Sequence, residues 1–126
     1  MLDGGPISVY GNDYPTPDGT CVRDYVHVRD LAAAHVRVLE ADRLPSGRSF
    51  NCGTGHGHSV LQVIEAAAER LRVKPKIEIG PRRPGDPASL VADPAALLEA
   101  VSWRPVHSTL EELVGSAADW ERARRR

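Results

Sequence analysis

Apolar and polar positions along the chain change period several times, and each change marks an element. Ile7-Ser8-Val9-Tyr10 alternates with period two and predicts a short strand. Gly11 to Gly19, dense in Gly, Pro, Asn and Asp, predicts a loop. Alternation returns from Val22 to Val28, predicting a strand that runs straight into a helix opening at Asp30. Leu31, Ala34, His35, Val38 and Leu39 recur at helical spacing, so a helix is expected over 29–42, stopped by Pro45 and Gly47. Ser49-Phe50-Asn51-Cys52 predicts a further strand, followed by the glycine-rich turn Gly53-Thr54-Gly55-His56-Gly57. Ser59 with Gln62 has capping-box spacing and opens a helix over 59–72, whose apolar stripe is Val60, Val63, Ile64, Ala67 and Leu71. Lys76-Ile77-Glu78-Ile79 predicts a strand, and Asp93-Pro94 an N-cap with proline opening a short helix over 94–100. Ser108 with Glu111 reads as a second capping box, opening a last helix over 109–124 with Leu110, Leu113, Ala117 and Trp120 turned inward. Mixed strands and helices of this kind predict α/β packing.

Composition narrows the function classes. A chain of 126 residues, 41% apolar and 26% charged, can form one domain with a modest core. A net charge of −1 gives no reason to expect nucleic acid or an anionic membrane as partner. No apolar run approaches the ~20 residues of a membrane helix. The stretch Met1 to Pro6 has neither the basic nor the apolar segment of a secretory signal. Cys21 and Cys52 are far apart and make no metal-type pair, so packed, reduced thiols and a cytoplasmic location are expected. Arg124-Arg125-Arg126 reads as a solvated tail.

Three stretches carry candidate chemistry. The turn 53–57 between a strand and a helix imitates a dinucleotide fingerprint, but G-x-G-x-x-G needs a glycine where His58 stands. Arg23, Asp24 and Tyr25 place a cation, an acid and a phenol side by side at a strand end, an arrangement suited to a phosphorylated small molecule. Arg82-Arg83-Pro84-Gly85-Asp86 presents guanidinium groups from a restricted loop, and such groups make forked, charge-assisted bonds to phosphate oxygens. By itself that loop reads sooner as an Arg83–Asp86 surface ion pair worth at most ~1 kcal/mol. His56 and His58 lack a third ligand at convincing spacing, so no metal site is expected. His27 and His35 read as packed or capping groups. No nucleophile elbow is present.

Taken jointly, Gly19-Thr20-Cys21-Val22-Arg23-Asp24-Tyr25-Val26-His27-Val28-Arg29-Asp30-Leu31, Gly11-Asn12-Asp13-Tyr14 and Arg82-Arg83-Pro84-Gly85-Asp86 resemble the carboxy-terminal portion of the UDP-glucose 4-epimerases. These are extended short-chain dehydrogenases/reductases of the NAD-dependent epimerase/dehydratase family. The resemblance spans 7–122 and implies an α/β fold: the last sheet strand and helix of a Rossmann-type domain plus a small α/β substrate domain. It implies that 1–126 is a single substrate-binding segment and that the amino-terminal NAD-binding domain is absent. Substrate contacts are implied at Ser8, Tyr10, Arg23, Tyr25, Val60, Arg83 and Asp86, with the turn at 53–57 approaching the nucleotide end beside Val60. Arg23 and Arg83 would clamp one diphosphate, and Asp86 would accept from ribose hydroxyls. Leu90 departs from the family, many of whose members carry an aromatic residue there.

The family interconverts UDP-galactose and UDP-glucose in galactose metabolism by hydride transfer through NAD, with proton transfer by the tyrosine of a Tyr-x-x-x-Lys pair. Lys74 and Lys76 are the only lysines, and neither follows a tyrosine at that spacing. Tyr25 has Arg29 there instead, and arginine does not fill the lysine's role. No catalytic or NAD-binding residue is therefore expected here. The expected chain is a carboxy-terminal piece or truncated product, inactive alone, with UDP-glucose or UDP-galactose and possibly a separate amino-terminal half as partners. Poor solubility, self-association or partial disorder of the lone chain is expected too. The competing expectation is a stand-alone, non-catalytic UDP-sugar-binding or regulatory module.

Overall fold

The structure, a computed structural model, describes residues 4–44 and 46–125. Pro45, the expected helix stop, and the last arginine of the tail lie outside the described residues. Among the described residues the elements are, in order, β1 (Ile7–Tyr10), β2 (Val22–Arg23), α1 (Val28–Glu40), β3 (His58–Ser59), α2 (Val60–Leu71), β4 (Ile77–Gly80), β5 (Ser89–Leu90), α3 (Ala95–Val101) and α4 (Leu110–Arg124).

Two small sheets organise them. β1 pairs in parallel with β4, from Ile7 opposite Ile77 to Tyr10 opposite Gly80. β2 is the middle strand of the second sheet, antiparallel to β3 and parallel to β5. The strand expected over Val22–Val28 is cut to two residues. Its partners β3 and β5 each offer only two, and after Asp24 N donates to Leu90 O at 3.1 Å the chain leaves the sheet. Ser49–Cys52 forms no ladder, because none of the described strands lies beside it. Phe50 and Cys52 instead pack against a core of Ala34, Leu97, Val101 and Trp103.

Helix ends follow local hydrogen bonding. α1 starts at Val28, two residues before Asp30, because the buried His27 caps it by accepting from Arg29 N at 3.0 Å. The Ser59–Gln62 capping box at α2 forms with both bonds in place, at 2.8 and 3.1 Å. The second box does not form. Thr109 caps α4 by accepting from Glu112 N at 3.2 Å, since the Ser108 hydroxyl is engaged by Asp30. The inward stripe of α4 rotates accordingly: Ala118 is buried, whereas Ala117 and Trp120 face out, the latter 69% exposed. α4 packs along α2, and Arg70 of α2 pairs with Asp119 of α4 at 2.9 Å. On α1 only Ala34 and Asp30 are buried, and Leu39 and His35 face out.

Asp30 ties the α1 start to the segment before α4. Its carboxylate accepts from Val106 N, His107 N and Ser108 Oγ at 3.1, 2.8 and 2.6 Å, and its carbonyl accepts from Trp103 Nε1 at 3.0 Å. The Ser108 hydroxyl in turn accepts from His27 N. A polar knot this buried holds only if each member is satisfied. This one is.

Candidate functional site

The 12–20 loop forms the floor. Tyr14 N donates to Gly19 O, and Asp18 accepts from Thr20 N and Thr20 Oγ1, both at 2.8 Å. The second oxygen of Asp18 takes the Ser59 hydroxyl, and Thr20 Oγ1 accepts from Leu61 N, so the loop is fastened to the start of α2. Burial works against the Asp18 carboxylate, but the bonds from Ser59 and Thr20 outweigh it and hold its pKa below the usual value. Arg82 lies over the Tyr14 ring, 4.2 Å from its centre, and pairs with Asp13 at 2.7 Å, so the 82–86 loop lies against this floor.

Between floor, β1 and the 82–86 loop opens a cleft of about 170 Å³, lined by Ser8, Val9, Tyr10, Gly11, Thr20, Cys21, Arg23, Val60, Arg83 and Asp86. Six of the seven sequence-selected residues converge here from four distant stretches of chain. The seventh does not: Tyr25 is half-buried outside the lining, and burial pushes its phenol pKa up. Arg23 and Arg83 share the cleft in different states. Arg23 is held by Val22 O at 2.7 Å, Pro87 O at 2.9 Å and Asp86 Oδ1 at 3.3 Å. Arg83 lies 4.1 Å from the centre of the Tyr10 ring. Asp86 therefore pairs with Arg23, and the alternative Arg83–Asp86 ion pair is not formed. Two guanidinium groups against one carboxylate leave a surplus positive charge in a half-enclosed space, an arrangement that attracts an anion.

The glycine-rich turn plays another part than close approach to a ligand. Asp24 faces it and accepts from Thr54 N, Thr54 Oγ1, Gly55 N and Ala92 N at 2.7–3.3 Å. A Cβ at Gly53 would stand 2.5 Å from Asp24 Oδ2, and one at Gly57 2.3 Å from Val22 Cγ1. The glycines thus let the turn pack onto Asp24 and β2. The N–H groups that could cradle a pyrophosphate are occupied by a carboxylate, so the turn does not fit the phosphates of NAD. Burial opposes the Asp24 charge, yet the bonds from Thr54, Gly55 and Ala92 keep its pKa lowered.

Sequence reasoning missed Asp18, Thr20 and Cys21. The Asp18-x-Thr20 spacing is an Asx-turn signal that could have marked the first two. Cys21 gave none, since what ties it to the start of α2 is a tertiary bond, from Val60 N to its carbonyl at 3.0 Å.

Residues 1–53 match the model of the NAD dependent epimerase/dehydratase family. A UDP-glucose 4-epimerase of Azospirillum brasilense is 44% identical over 119 residues, which cover 94% of this chain and 34% of that protein. Over 94% of its length the chain matches such an epimerase, and it reads as a carboxy-terminal piece of that kind of protein. It corresponds to the carboxy-terminal part of the α/β fold of the epimerases in that family. The crystal structure of UDP-glucose 4-epimerase from Bifidobacterium longum, in complex with NAD+ and UDP, superposes with a TM-score of 0.88 at 40% identity, covering 95% of this chain and 36% of that one. A UDP-glucose 4-epimerase from Stenotrophomonas maltophila, with bound NAD and formylated UDP-arabinopyranose, gives 0.87 at 43% identity, covering 96% and 36%. The chain spans about a third of the length of the relatives it matches. Among its described residues no helix is long and apolar enough to cross a membrane.

Proposed function

We propose that the cleft binds the nucleotide end of UDP-glucose and UDP-galactose, as the UDP-sugar-binding part of a UDP-glucose 4-epimerase. The observation that carries the reading is the convergence of Arg23 and Arg83 on one concave surface with Ser8, Tyr10, Val60 and Asp86. Arg83 offers its fork to the diphosphate on leaving the Tyr10 ring. Arg23 contributes charge while keeping the 86–87 backbone in place. Tyr10 and Val60 supply apolar wall for a base. Asp86 accepts from ribose hydroxyls once a phosphate competes for Arg23.

A cleft of about 170 Å³ is smaller than the ~300–1,000 Å³ of complete small-molecule sites. Its sugar end is therefore open in this chain, and the hexose pocket needs walls from elsewhere. The relatives' extra length and the groove of about 270 Å³ along α1, lined by Leu31, Val38, Leu39, Phe50 and Leu97, support a cofactor-carrying half seated there. That half brings NAD, which accepts and returns the hydride. This chain holds the nucleotide and orients the sugar toward it. The chain alone, given NAD, is expected to show no interconversion of UDP-galactose and UDP-glucose.

Because the nucleotide cleft is built wholly from this chain, a stand-alone binding module is the second reading. Calorimetry with UDP-glucose separates the two. A Kd tighter than ~0.1 mM for the chain alone supports the module, and binding only after the other half is added supports the epimerase part. In either case Arg83→Ala is expected to cost roughly 1–3 kcal/mol of binding free energy. Unchanged affinity in that variant removes Arg83 from the site and the proposal with it.

A further inference from the structure

A second and larger cleft, about 740 Å³, lies between the 53–57 turn and the start of α4 and shares no lining residue with the nucleotide cleft. Its apolar wall is Leu98, Val106 and Leu110, and Val106 is 70% exposed. Its charged or protonatable lining is all of one kind: Arg104, His56 and His58. No Asp or Glu lines it.

The nearby acids are committed elsewhere. Asp24 is engaged by the turn, Glu112 accepts from His107 Nδ1 at 2.5 Å, and Asp93 accepts from Ala95 N. Among the described residues no carboxylate pairs with Arg104, and no polar group bonds the ring of His58. The histidines are not on a loose loop. Asp24 anchors Thr54 and Gly55, Thr54 Oγ1 accepts from His56 N, and His58 is paired in β3 with Arg23.

We infer that this cleft is a binding site for a small anion with an apolar body, a phosphate monoester or a free carboxylate on an aryl or alkyl frame. The juxtaposition of an unpaired guanidinium and two imidazoles with an open apolar wall supports this class. The Arg104 guanidinium makes charge-assisted bonds to oxyanions, imidazole N–H groups add hydrogen bonds, and a cleft of this size buries an apolar body beside them. A bare inorganic anion would leave the wall of Leu98, Val106 and Leu110 in water. A neutral apolar molecule would leave the Arg104 guanidinium unused. The inference does not depend on the nucleotide reading, since the two clefts have no residue in common.

The test is a titration of the whole chain with phenyl phosphate, followed by amide chemical shifts, with inorganic phosphate and benzyl alcohol as parallel probes. Phenyl phosphate is expected to move the amides of 54–58 and 104–110, with a Kd on the order of 1 mM. Neither comparator should match it. Arg104→Ala, at an exposed position that leaves the fold alone, should weaken binding about tenfold, and His58→Asn by a smaller factor. Arg83→Ala should leave it unchanged. The inference is overturned if shifts concentrate on 8–11 and 82–86, if Arg104→Ala binds like the parent, or if either comparator reproduces the response.

Discussion

Replacing Asp30 by asparagine tests the energetic account at its most demanding point. The side chain is 1% exposed and accepts three hydrogen bonds, from Val106 N, His107 N and Ser108 Oγ. Asparagine preserves shape but turns one acceptor oxygen into an NH₂ group that faces donors. At least one charge-assisted bond, worth ~1.5–3 kcal/mol, is lost and one buried donor is left without a partner. The expected destabilisation is about 2–4 kcal/mol, against a total of ~5–15 for a domain of this kind. Asp30→Ala leaves all three donors unsatisfied and should be worse.

Acid adds a second signature. Burial opposes the charge of Asp30, but the bonds from Ser108, Val106 and His107, with the nearby His107 ring, hold its pKa below the usual carboxylate value. A group depressed in this way stabilises the fold fully above its unfolded pKa of ~3.9, and the contribution is lost as pH falls through the lower folded value. The parent should therefore lose stability below about pH 4, and Asp30→Asn should lose less over the same range. Urea unfolding followed by circular dichroism at pH 7 and pH 3.5 measures both. Fluorescence of Trp103, whose Nε1 donates to the Asp30 carbonyl, reports the same knot locally. A loss under ~0.5 kcal/mol for Asp30→Asn at neutral pH, within the range of ordinary surface changes, would refute the reasoning.

Three further outcomes are expected. Ser102 ends α3 with φ 46°, where a side chain costs ~1 kcal/mol, so Ser102→Gly should raise the unfolding midpoint, and a lowered midpoint counts against strain there. Gly53→Ala brings a Cβ to 2.5 Å from Asp24 Oδ2 and should detach the turn, destabilising by about 1–3 kcal/mol; amide exchange at Thr54 and Gly55 as slow as in the parent would contradict this. Leu39 is 85% exposed beside the α1 groove, and Leu39→Glu should reduce concentration-dependent association in sedimentation velocity, an effect absent if the groove is not the contact.

What the sequence determined by itself was local. Period, cap spacing and turn residues located β1, α2 with its capping box, β4 and α3 to within a residue or so, because those signals act through bonds between near neighbours. The family motif also named residues that meet in one cleft, though not Tyr25, which lies outside it. Tertiary structure decided the rest. Whether 22–28 or 49–52 forms a ladder depends on a partner strand, which a single segment cannot reveal. The Ser108 hydroxyl left its expected cap because a buried carboxylate from 78 residues away binds it at 2.6 Å, and the cap and inward face of α4 moved with it. The same holds for Arg23. Its charge is legible in the chain, but only packing shows that Asp86, Val22 O and Pro87 O already hold it, leaving Arg83 stacked on Tyr10.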